Sequence, residues 1–202
     1  MSRPRLAETE QTILEGALVA FTEKGYAATS LRDLMAAAGL STTAFYARFA
    51  SKEAVLDALL ARLTERLLER ARAAMNDAPS VEAGFEGGAR ALAEIVLPER
   101  QVLRLALGEG MASAGARATM RSVYAALSGL LTTRLERLMA KGAITAVDAP
   151  ALGDALTGAM QLHLVRWAVL DELSADELTS VLVRTARALV PVVRRPRPTT
   201  VT

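Results

Sequence analysis

The stretch GLSTTAFYARF, residues 39–49, holds a helix stop, a helix start and two opposed faces. Gly39 tolerates the left-handed backbone that ends a helix, and Ser41 is a residue suited to opening one. On a wheel drawn for residues 42–48, Phe45 and Phe49 stand together at i and i+4 and point inward. Thr42, Thr43, Tyr46 and Ala47 gather on the other side and are left exposed. A short helix with that division needs something to bury its phenylalanines and something to meet its polar face.

Working outward, the residues on either side supply the first of these. SLRD, starting at Ser30, has the form of a capping box and predicts a helix as far as Ala38. Before it, Ile13, Leu14, Ala17, Leu18 and Phe21 carry the spacing of an amphipathic helix over 7–24, which Gly25 stops. After it, Ser51 caps a helix that continues to about Met75. Two short helices joined by about three residues containing glycine, braced by a preceding helix, form the helix-turn-helix arrangement.

Composition bounds the rest. A chain of 202 residues, 51% of them apolar, buries a sizeable core, and its abundance of Ala and Leu favours helices. The charge of +2 rests on 24 basic residues, of which only Lys24, Lys52 and Lys141 are lysines. Residues 1–60 are nearly balanced, so charge alone says little about nucleic acid. With no cysteine there is neither a disulfide framework nor a thiolate metal site. The absence of a secretory h-region and of long apolar runs predicts a soluble, cytoplasmic protein with no membrane partner.

Beyond residues 76–80 the pattern predicts longer helices at about 80–96, 99–112, 116–140, 148–172 and 174–190, with no strand alternation. The fold class is therefore all-α. A three-helix helix-turn-helix domain occupies 1–55, a larger helical domain 56–193, and a disordered basic tail 194–202.

Residues 13–60 resemble the N-terminal DNA-binding segment of the TetR family of transcriptional regulators. The matching positions are Phe21, Gly25-Tyr26, Thr29-Ser30, Gly39, Ser41, Phe45-Tyr46, Phe49 and Ser51-Lys52-Glu53. The resemblance implies that Thr29, Ser30 and Lys52 hold DNA phosphates. It implies that Ser41, Thr42, Thr43, Tyr46, Ala47 and Arg48 face the major groove and its walls, with the Tyr46 hydroxyl on a phosphate. Many members carry Lys after the capping serine and an aromatic or His pair after the tyrosine. This chain has Thr42 and Ala47-Arg48 instead, which leaves base readout to threonine methyls, threonine hydroxyls and Arg48.

In the last two predicted helices, Ala151, Ala155, Gly158, Leu162, Val165 and Val169 trace a narrow seam at alternating spacings of four and three. Leu178, Leu182, Thr185 and Leu189 repeat it. The seam suits a partner helix, and the family pairs these helices in a four-helix bundle, which implies a homodimer. Another face of the same helix carries Gly153, Leu156, Met160, His163, Leu164 and Trp167, with the chain's one His and one Trp. The family holds a small-molecule pocket in this domain. That implies a mostly apolar effector lined by Met160, His163 and Trp167, with Phe85, Met111, Met120 and Tyr124 opposite.

Catalysis finds no support in these residues. One His and no Cys cannot make a Cys–His pair, no glycine loop suits a phosphate, and no ligand pair at helical spacing includes His163. No catalytic residue, metal or cofactor is assigned. The reading is a ligand-responsive regulator, a repressor released from a palindromic double-stranded DNA operator. Its rival is a helical ligand-binding or interaction protein that has lost operator binding.

Overall fold

The computed structural model describes residues 3–108 and 114–193, and every regular element among them is helical. Met111 and the tail from 194 lie outside the described residues. The helices are α1 (Arg3–Lys24), α2 (Leu31–Ala38), α3 (Thr42–Tyr46), α4 (Lys52–Asn76), α5 (Val81–Val96), α6 (Arg100–Leu107), α7 (Ala114–Ala140), α8 (Ala149–Ala168) and α9 (Ala175–Val193). A 3-10 turn, Leu97–Glu99, joins α5 to α6. None of these helices is long and apolar enough to cross a membrane.

The chain forms two compact units. The first takes residues up to Glu65 and from Glu99 to Val123, and the second takes Arg66–Pro98 and the residues from Tyr124 onward. In the first unit Ile13, Leu14, Ala17 and Phe21 of α1 are buried with Leu34 and Ala38 of α2. Phe45, Phe49, Val55 and Leu56 complete this core, and α6 packs on α1. At Gly16 a β-carbon would stand 2.7 Å from the Ala38 amide nitrogen, so glycine lets the two helix backbones touch.

In the second unit α9 lies against both α5 and α8. Its stripe of Leu178, Leu182, Ala186 and Val190 is buried, spaced one helical turn apart. A bidentate ion pair joins Arg187 of α9 to Glu86 of α5, at 2.6 and 3.0 Å. The end of α9 is tied to the connector after α7, where the Val193 carbonyl accepts from the Thr145 amide at 2.9 Å and its hydroxyl at 3.2 Å. That tie holds the helix past Pro191, where the sequence predicts a stop near residue 190.

Two other helix ends differ from expectation. The recognition-type helix spans Thr42–Tyr46 rather than 42–48, with Ala47 at its cap and one further turn formed by the bond from the Phe49 amide to the Phe45 carbonyl. The helix predicted over 148–172 ends at Ala168. There Asp171 takes the left-handed backbone, φ 54°, in the role that a glycine usually fills. Short polar side chains tolerate that conformation, so no glycine marks this stop in the sequence.

Candidate DNA-binding surface and effector unit

The turn between α2 and α3 is built from the residues that predicted it. Gly39 has φ 63° and its amide donates to the Ala36 carbonyl at 3.1 Å, while the Leu40 amide donates to Met35. Ser41 caps α3 by accepting from the Ala44 amide at 3.3 Å. Ser30 and Asp33 form the reciprocal box at the start of α2. The Ser30 hydroxyl accepts from the Asp33 amide, and the Asp33 carboxylate accepts from the Ser30 amide at 2.9 Å. Lys24 adds an ion pair to Asp33 at 2.5 Å. The Lys24 ammonium and the Ser30 amide and hydroxyl hold the Asp33 carboxyl well below the usual carboxylate range. The cap therefore contributes at pH above the ordinary aspartate value of about 4 and is lost as pH falls through the lower folded value.

With α3 positioned this way, Phe45 is buried and Thr42, Thr43, Tyr46 and Ala47 are exposed. Tyr46 is 51% exposed and stands edge-on to Phe45 at 5.9 Å. This is the division of faces that a groove-reading helix requires. Arg48 is half-buried, with its Nη2 enclosed and unpartnered. Arg32, on the first turn of α2, is exposed with no ion pair among the described residues.

Two expected phosphate contacts have other tasks in the structure. Thr29 is only 2% exposed, and its hydroxyl is spent on the carbonyls of Gly25 at 2.7 Å and Ala20 at 3.2 Å. Lys52 sends its ammonium to the carbonyls of Tyr26 (2.9 Å), Ala27 and Thr29 (both 3.1 Å), and lies 4.7 Å from the centre of the Tyr26 ring. Its three donors are used on the loop between α1 and α2. In the free chain Lys52 clamps this loop. Sequence alone hid this because the clamp joins positions about 25 residues apart, and an exposed-looking lysine after a cap has no local signature.

Lys52→Met is expected to lower stability by about 2 kcal/mol, the scale of losing charge-assisted bonds at a partly buried site. The slope of log affinity against log salt should match the wild type, because no phosphate contact is removed. Urea denaturation and a salt series of DNA titrations check both halves. A slope shallower by about one per half-site with unchanged stability would restore the phosphate role.

In the second unit α8 shows Ala151, Ala155, Gly158 and Leu162 on one exposed side, with Val165 and Val169 half-buried. Leu162 is 57% exposed. On α9, however, Leu178 and Leu182 are fully buried within the protomer and cannot form a seam with a partner. A stripe at spacings of three and four looks the same whether its neighbour is another helix of the chain or of a second copy. Thr185 and Leu189 are half-buried. Thr185 bonds to His163 Nε2 at 2.9 Å, so this pair belongs to the contact of α8 with α9.

The expected effector residues divide in a similar way. Phe85, Met160 and Trp167 are buried in the second unit, and Met120 is buried in the first. His163 leaves Nδ1 enclosed without a partner, and burial with Arg166 and Arg184 nearby lowers its pKa. Tyr124 is half-buried, and burial raises its phenol. It lines a groove of about 540 Å³ between α7 and α8, together with Thr157 and Gln161. The hydroxyls of Tyr124 and Thr157 are both enclosed there without a partner. A second groove, of about 420 Å³, lies between α4 and α7 and is lined by Arg72, Arg134 and Arg137. Phe85, Met160, His163 and Trp167 line neither. Sequence reading missed the second groove, although Arg134 and Arg137 stand one turn apart.

Residues 13–59 match the model of the family described as bacterial regulatory proteins, tetR family. Over 170 residues, 84% of each chain, the protein is 25% identical to the HTH-type transcriptional regulator UidR of Escherichia coli strain K12. Among solved structures, a TetR-family transcriptional regulator of Syntrophomonas wolfei superposes with a TM-score of 0.86 at 21% identity, over 97% of this chain and 99% of that one. The fatty acid degradation regulator FadR of Bacillus halodurans gives a TM-score of 0.76 at 22% identity, covering 90% and 94%. A helix-turn-helix with an outward polar face lies within the matched segment: residues 13–59 form a DNA-binding segment of the tetR family, and the rest of the chain shares the helical architecture of TetR-family regulators.

Proposed function

We propose that this regulator binds a near-palindromic operator as a homodimer, represses transcription there, and is released when a small effector occupies its second unit. The observation that carries the reading is the outward side of α3, where Thr42, Thr43 and Tyr46 are exposed and make no side-chain hydrogen bond among the described residues. A five-residue helix touches too few base pairs for useful specificity, which favours two copies acting on two half-sites. The exposed side of α8 offers the surface for pairing. Arg32 and Arg48 are cationic groups near α3 that could meet the phosphates. Release requires an effector that binds the DNA-incompetent conformation better than the competent one.

Gel-shift titrations with the DNA upstream of the protein's own gene test this, with footprinting to locate the half-sites. Tyr46→Phe is expected to weaken binding about tenfold on every sequence, as the loss of a phosphate bond does. Thr43→Ala is expected to change which operators are preferred, since a threonine methyl and hydroxyl read base edges. Unchanged preference with Thr43→Ala and altered preference with Tyr46→Phe would invert these roles. No sequence-specific shift on any promoter fragment would return the chain to the reading of a binding protein without an operator.

A further inference from the structure

The groove between α4 and α7 shows an electrostatic imbalance. Elsewhere in the second unit three arginines find carboxylates: Arg70 pairs with Glu94 at 3.0 Å, Arg187 with Glu86 at 2.6 Å and Arg166 with Glu172 at 2.8 Å. Arg72, Arg134 and Arg137 converge on one cavity, yet none forms an ion pair among the described residues. Glu136 lies between the last two in sequence, but neighbours at i±1 project in different directions on a helix. Arg134 is the most enclosed of the three. Its Nη2 sits 3.3 Å from where a β-carbon on Gly84 would stand, so it uses the space that this glycine of α5 leaves open. Burial first, and then the neighbouring Arg137, lower its pKa.

The remaining walls combine the polar Asn76 and Thr133 with an apolar strip. Met75 is buried, and Ala126 and Leu130 are half-buried along α7. The cavity of about 420 Å³ lies within the range of about 300–1,000 Å³ typical of small-molecule sites. At roughly 30 Å³ per water-sized group, it holds on the order of a dozen non-hydrogen atoms.

We propose that this groove binds a small anionic amphiphile, its carboxylate or phosphate head held by Arg134, Arg137 and Arg72 and its short apolar body laid against Met75 and Leu130. Guanidinium forks match both head groups in bidentate geometry, and an anion offsets the repulsion between Arg134 and Arg137. The site deepens the effector reading, and only its consequence at DNA rests on that reading. The expected effector is thus charged at one end rather than apolar throughout.

Calorimetric titration of the full chain with octanoate, octyl phosphate, octan-1-ol and inorganic phosphate tests the proposal. Octanoate, octyl phosphate or both should bind saturably, one per protomer, and the tighter of the two identifies the head group. Octan-1-ol and inorganic phosphate, each lacking half of the ligand, should bind at least tenfold more weakly. Arg134→Gln and Arg137→Gln should each weaken the anions tenfold or more, the scale of a charge-assisted bond, and leave octan-1-ol unmoved. Arg134→Lys keeps the charge without the fork, should fall between, and guards against a folding defect in the glutamine variant. Arg90→Gln, on α5 away from the groove, should change nothing.

Equal affinity for octan-1-ol and octanoate, or glutamine variants that bind as the wild type does, would overturn the site. Inorganic phosphate binding as tightly as octyl phosphate would reduce it to a cationic patch. Gel shifts run with the same ligands separate the two readings. Saturable, arginine-dependent binding that leaves operator DNA bound would keep the site and overturn effector release.

Discussion

Gly16→Ala should destabilise the DNA-binding unit by about 2 kcal/mol or more, although it replaces glycine with the best helix former in the middle of a long helix. Propensity alone favours the substitution by about 1 kcal/mol. The new β-carbon, however, would stand 2.7 Å from the Ala38 nitrogen, 2.8 Å from the Ala37 carbonyl carbon and 2.9 Å from the Ala38 α-carbon. All three atoms are backbone, so no side chain can rotate aside and α2 itself must retreat. Overpacking of this kind costs about 1–3 kcal/mol when flexible groups yield, and more when they cannot. Because α2 carries the turn into α3, its retreat also misplaces Thr43 and Tyr46, and operator affinity should fall with stability. Urea denaturation followed by circular dichroism measures the first effect and a gel shift the second. A stability equal to or above the wild type would mean that the two helices do not approach this closely.

Leu162→Glu should convert the proposed dimer to monomers and reduce operator affinity by at least 100-fold. On the proposed two-fold arrangement each substitution places a charge against its symmetry mate or against apolar surface, so the penalty is incurred twice. Losing the second half-site then removes the coupling that makes the pair of recognition helices tight. Gly158→Leu is the cleaner companion, because nothing within the protomer lies within 4 Å of a β-carbon there. Leucine should leave the protomer as stable as before, or slightly more so, while holding two copies apart. Sedimentation equilibrium at micromolar concentration reads the oligomeric state directly. A dimer that survives both substitutions would place the interface on another surface.

Local chemistry made much of the fold legible. Gly39 and the caps at Ser30, Ser41 and Ser51 each act on residues within four positions, so the helix-turn-helix can be read from the chain. The exposed side of α3 follows from the same short-range geometry. What stayed hidden depends on contacts between distant positions. The Lys52 clamp reaches back to residues 26–29, the burial of Leu178 and Leu182 depends on where α5 and α8 settle, and the arginine groove joins residues 72–76 to 125–137. Asp171 hid the end of α8 for another reason: it does a glycine's work without being one.

The interleaving of the two units has a consequence for how the protein is made. Leaving the ribosome from its N-terminus, the chain delivers α1 to α3 and the start of α4, then the remainder of α4 and α5, which belong to the other unit, and only then α6. Val102, Leu103, Leu105 and Ala106 of α6 are buried, and α6 packs on α1. The apolar side of α1 that α6 covers therefore stays open until the intervening segment has been synthesised. A fragment cut after residue 65 would lack α6 and leave that side of α1 uncovered.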